Sequence, residues 1–142
     1  MVVLVGAASN ASAAPSDVPA LALRLDCPTR AGKGRVVCSL EVEARQGKVL
    51  RWADALIVSS PDFAAPLRSR IAATLPEEGA SKATISIPLF AREENTGVVR
   101  VKARAVVCDE VARDRCEPES REIEASVAVT RAAEPRPSPK VQ

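Results

Sequence analysis

Between Leu21 and Thr130 the chain alternates apolar and polar side chains with a period of two, interrupted by residues that favour turns. The pattern predicts strands over 21–27, 35–44, 49–59, 82–90, 98–108 and 116–130, with turns at Gly32-Lys33-Gly34 and Gln46-Gly47. Residues 67–75 fit a strand or a short helix and are read as a strand that Pro76 stops. About seven strands at this spacing, with no helical period elsewhere, predict an all-β fold, an immunoglobulin-like antiparallel β-sandwich. The sandwich is expected over 21–131. Residues 132–142, with proline at every second position from Pro135 to Pro139, are expected to form a disordered, polyproline-like tail.

The four cysteines test the register of those strands. If Cys27 faces Cys38, then Leu25 meets Leu40, Leu23 meets Val42 and Leu21 meets Ala44 on one face, while Arg24 meets Glu41 on the other. If Cys108 faces Cys116, Val101 meets Ile123 and Val99 meets Ala125, with Lys102 against Glu122 and Arg100 against Glu124 outside. Both registers set apolar against apolar and charge against opposite charge, so two hairpin disulfides are expected. Parity places Cys27 and Cys38 on the leucine face and Cys108 and Cys116 on the charged face, unless a bulge near Pro118 turns the strand. The second bridge is therefore expected to be the more exposed. A Cys38–Cys108 bridge between two sheets, with Trp52 behind it, stays open as an alternative, as does a four-cysteine zinc site without close-spaced knuckles.

Composition narrows the function. Of 142 residues 46% are hydrophobic and 27% charged, the balance of one globular domain. The net charge of +2 is spread along the chain, and the aromatics are only Trp52, Phe63 and Phe90, which argues against nucleic acid as a partner. Residues 2–8 form an apolar run leading to Ala11-Ser12-Ala13, the pattern of a signal peptide over 1–13 followed by a flexible leader over 14–20. No basic residue stands between Met1 and the run, as a start site further upstream would give. The run is too short for a stable membrane span. Four cysteines without a Cys-x-x-Cys pair fit an oxidising compartment, so the protein is expected to be periplasmic or secreted, with no metal and no cofactor.

The chain has no histidine, which excludes the Ser-His-Asp and Cys-His arrangements. Glu77-Glu78 and Glu93-Glu94 read as solvated turns, and Asp109, Glu110 and Asp114 as loop charge rather than a calcium loop. Trp52, on a central strand, reads as core before it reads as a partner's anchor.

The segment Ile87-Pro88-Leu89-Phe90, Thr96-Gly97, Val99 through Cys108, and Cys116-Glu117-Pro118-Glu119 resembles the N-terminal periplasmic domain of DsbD-type thiol:disulfide interchange proteins. The resemblance covers the last third to half of the domain. It implies an immunoglobulin-like sandwich with a small-residue turn before the first cysteine strand. It also implies that Cys108 and Cys116 are the catalytic pair, exchanging electrons with a protein partner such as a thioredoxin-like protein. Arg104, Arg113 and Arg115 would lower a thiol pKa there, and Asp109, Glu110, Asp114 and Glu117 oppose them. The alternative is a non-catalytic binding or structural module of the cell envelope in which both disulfides are structural. An exchange domain predicts an open loop between Cys108 and Cys116; a module predicts two similar bridges and a binding patch elsewhere.

Overall fold

The computed structural model describes residues 19–132, and the signal peptide and most of the leader and of the tail expected from the sequence lie outside them. Period-two segments become nine strands: β1 (Leu21–Asp26), β2 (Arg30–Ala31), β3 (Gly34–Ala44), β4 (Lys48–Ser59), β5 (Ala64–Pro66), β6 (Arg70–Ala72), β7 (Lys82–Ala91), β8 (Asn95–Asp109) and β9 (Cys116–Thr130). Seven of them overlap the predicted strands. Of the 67–75 segment only Arg70–Ala72 is strand, and the two additions, β2 and β5, are too short for alternation to reveal.

The strands form two sheets, ordered β1-β3-β7-β5 and β2-β9-β8-β4-β6. This is the immunoglobulin-like division, with the first, second and fifth strand positions in one sheet and the third, sixth and seventh in the other. Between β4 and β7 the chain first adds β5 to the edge of β7, then returns to add β6 to the edge of β4. Its fold class is an all-β sandwich with two hairpin disulfides.

The inner faces divide the work of packing unequally. The four-stranded sheet presents large residues, among them Leu40, Val42, Ile85, Ile87 and Leu89, all fully or almost fully buried. Against them the centre of the five-stranded sheet presents Ala53, Ala55, Ala103 and Ala105. Large side chains opposite small ones let the layers interdigitate, which close packing of an interior requires. The expected register of the first hairpin holds, with Leu21 against Ala44, Leu23 against Val42 and Leu25 against Leu40. In the last hairpin Val99 meets Ala125 and Val101 meets Ile123. Outside, Arg100 pairs with Glu124, whereas Glu41 turns from Arg24 to Lys82, 2.9 Å away.

Gly97 corrects one expectation. It lies within β8 opposite Val127, not in a turn. A Cβ there would stand 2.8 Å from Cβ of Pro61 and 3.0 Å from Cε1 of Phe63, closer than ordinary contact allows. Gly97→Ala is accordingly expected to destabilise the domain by about 1–3 kcal/mol, read as a lower urea midpoint at unchanged slope. An unchanged midpoint would show that the loop carrying Pro61 yields.

The outer edge of β9 has a strand partner only at Val129 and Thr130, among the described residues. Pro118 and the charges of Glu117, Glu119 and Glu122 lie along the rest of that strand, and such residues discourage an intruding strand.

Candidate functional site

Cys108 is the last but one residue of β8 and Cys116 opens β9, directly opposite each other with Cα atoms 4.0 Å apart. Their disulfide ties the end of the hairpin, and Cys27–Cys38 does the same for the first hairpin, with Cα atoms 4.2 Å apart. These pairings set aside the Cys38–Cys108 bridge and the zinc site. The expected difference in exposure is not found. Cys38 is 0% and Cys108 3% exposed, and Cys27 and Cys116 are both half-buried. Parity does leave Cys108 outside the main core, paired with Val49. It also lines a recess of about 320 Å3, together with Leu75 and Gly79, from the connection into β7, and Arg113, from the hairpin loop.

The loop between the two cysteines is closed. The Asp109 carboxylate accepts hydrogen bonds from the backbone N–H groups of Val111 (2.9 Å) and Ala112 (3.0 Å) and lies 3.6 Å from the Lys48 ammonium. Those two N–H groups, with Lys48 in support, hold its carboxyl below the ordinary aspartate range. Arg115 N–H donates to the Ala112 carbonyl, Asp109 N–H to the Arg115 carbonyl, and Glu110 N–H to the Gly47 carbonyl, at 2.9–3.0 Å. Asp109 is thus spent on the turn. On the other side Cys116 borders a polar recess of about 520 Å3 that also exposes Arg45, Lys48, Asp114 and Arg115. Its sulfur lies 3.3 Å from the Arg113 carbonyl oxygen.

A second cluster sits on the outer face of the five-stranded sheet, and the sequence reading missed it. A register shift between Leu50 and Trp52 inserts Arg51 into β4 as an extra residue. Leu50 faces the core, but after the bulge Trp52, Asp54 and Leu56 face outward, opposite Val106, Arg104 and Lys102. Trp52 is therefore half-buried on the outer face and not a core residue. A strict period of two from Leu50 puts Trp52 and Asp54 inside; one extra residue reverses both.

Asp54 is fully buried although it faces away from the core. Arg104 covers it with two hydrogen bonds, Nε to Oδ1 at 2.9 Å and Nη2 to Oδ2 at 2.5 Å, and Arg70 adds a third, Nε to Oδ2 at 2.7 Å. Both guanidinium groups lie over the Trp52 ring, 5.6 Å from its centroid for Arg104 and 5.9 Å for Arg70. Burial by itself pushes the Asp54 carboxyl up, but the hydrogen bonds and charges of Arg104 and Arg70 outweigh it and hold the group below the ordinary aspartate value. The sequence signal was available in Trp52-Ala53-Asp54-Ala55-Leu56, where alanine occupies alternate positions and an acid sits between apolar neighbours.

The direction of that shift fixes its pH dependence. An aspartate whose folded pKa is depressed stabilises the fold above its unfolded pKa of about 3.9, and the contribution is lost as pH falls through the folded value. Denaturation midpoints of the native domain are expected to fall more steeply as pH drops below about 4 than those of Asp54→Asn. Parallel curves would show that Asp54 titrates alike in both states.

No family model and no curated protein matches the sequence. Among solved structures the chain is similar to the ASH / PapD-like domain 7 of human CEP192, with 10% identity, a TM-score of 0.43, and coverage of 94% of this chain and 100% of that domain.

Proposed function

We propose that the chain is an exported, non-catalytic binding module whose two disulfides are structural. The observation that carries this reading is the similarity of the bridges, each with one cysteine sealed and one half-buried, at the ends of fully paired hairpins. Thiol-disulfide exchange needs in-line access to a sulfur. Cys108 is only 3% exposed, and the loop beside it is tied by Asp109 and three backbone hydrogen bonds. Two intramolecular disulfides are typical of proteins outside the reducing cytosol. With the signal-like residues 1–13, they support placement in the periplasm or beyond.

A second reading is thiol-disulfide exchange through Cys108 and Cys116, as the resemblance to the DsbD N-terminal domain implies. Half-exposed Cys116 beside its polar recess favours it. A thiolate of a dithiol protein partner would attack the Cys116 sulfur and expel Cys108 as thiolate. The partner's second thiolate would then resolve the mixed disulfide, leaving the partner oxidised and this pair reduced.

Reduction potentials separate the two. Equilibration in graded thiol buffers, with alkylated cysteines mapped by mass spectrometry, is expected to place both bridges below about −300 mV. A Cys108–Cys116 potential above about −230 mV, with Cys27–Cys38 remaining low, would overturn the module reading and establish the exchange reading.

A further inference from the structure

We infer that the Trp52–Arg70–Arg104 cluster is the module's binding site and that it receives an acidic, extended segment of a protein partner; the inference rests on the module reading above. Asp54 occupies only Nε of Arg70 and Nε and Nη2 of Arg104. Both terminal nitrogens of Arg70 and Nη1 of Arg104 have no acceptor among the described residues. A guanidinium with free terminal N–H groups is suited to carboxylates, and here two are held side by side before any ligand arrives. Arg70 and Arg104 carry two positive charges against the one of Asp54, and Lys102 adds a third on the same face, set against Glu122 on β9.

The buried carboxylate is hard to explain by stability alone. Burying a charge is costly even when it is paired, and an apolar residue of similar size often serves a fold as well. Asp54 does what an apolar residue cannot, which is to fix the direction of two long cationic side chains and so remove the ordering cost of binding. Arg70 remains 55% exposed while anchored. The guanidinium groups lie over the Trp52 ring, so a ligand meets cations before it meets the indole, which favours an anion over a stacked sugar.

Beside the cluster lies an open recess of about 440 Å3 lined by Trp52, Val106 and Pro118, by Lys102 and Arg104, and by Glu119. An extended peptide alternates its side chains between two directions. One that carries carboxylates toward Arg70 and Arg104 can lay apolar side chains along Trp52, Val106 and Pro118. The unoccupied guanidinium N–H groups suit carboxylates and the apolar strip beside them suits apolar side chains, so an acidic-apolar segment matches this face.

Trp52 is the chain's single tryptophan, so its emission reports on this site alone. The oxidised domain is titrated with a capped peptide of alternating Glu and Leu, the same peptide with Lys for Glu, and an alginate oligomer. Saturable binding of the acidic peptide alone is expected, weakened by salt and weakened about tenfold or more in Arg70→Gln. That variant keeps the Arg104–Asp54 pair, and its melting curve verifies folding. No binding of the acidic peptide, equal binding of the basic one, preference for alginate, or full affinity in folded Arg70→Gln each overturns the inference. The module reading is judged separately by the reduction potentials: structural values with no peptide binding leave that reading standing and remove only this site.

Discussion

Asp54→Ala is expected to destabilise the domain by about 2 kcal/mol, a fall in Tm of roughly 10 °C. The carboxylate is fully buried and accepts three charge-assisted hydrogen bonds, each stronger than a neutral one. Against that, both arginine partners reach solvent and are hydrated when released, which keeps the loss below the ~3–5 kcal/mol of a pair broken deep in a core. Asp54→Leu makes the contrast. It leaves the two guanidinium groups unanchored but fills the space against Trp52, and is expected to cost less than half as much. Equal losses in the two variants would mean that the ion pair itself is the main stabiliser of this face.

The double variant Cys27→Ala/Cys38→Ala is expected to lose about 3 kcal/mol, with Cys108→Ala/Cys116→Ala losing nearly the same. Closing loops of 11 and 8 residues restricts the unfolded chain by amounts that differ by only a few tenths of a kcal/mol in the chain-entropy view. Each pair also has one buried cysteine whose packing is lost. Chemical denaturation of the two variants provides the measurement. A much smaller loss for the second pair would mark it as a bridge the fold does not need, which is how an exchanging disulfide differs from a staple.

The hairpins were legible in the sequence because their register leaves no freedom. Shifting Cys27 or Cys108 by one residue turns every leucine or valine of the strand outward, so pairing, burial and disulfide all follow from one alternation. The short strands were not legible, since two or three residues carry no period, and β5 and β6 are positioned by neighbours distant in sequence. The exposure of Cys108 was misjudged for a related reason. Parity names the face of a residue but says nothing of a connection such as 73–80 that passes beside it. Trp52 and Asp54 were hidden by the irregularity at Arg51, a backbone feature with no fixed sequence signature.

That irregularity has a consequence for how such a surface arises. The face carried by Trp52, Asp54 and Leu56 is set by strand phase, not by the identity of its residues. Losing the single extra residue would restore strict alternation with Leu50 and send an aspartate and a tryptophan toward an interior sized for alanine. Gaining one at the equivalent point of a related sandwich would bring a hidden side chain to the surface. A patch of this kind can therefore appear or vanish in one insertion or deletion, and point substitutions, however many, need not pass through its intermediate forms.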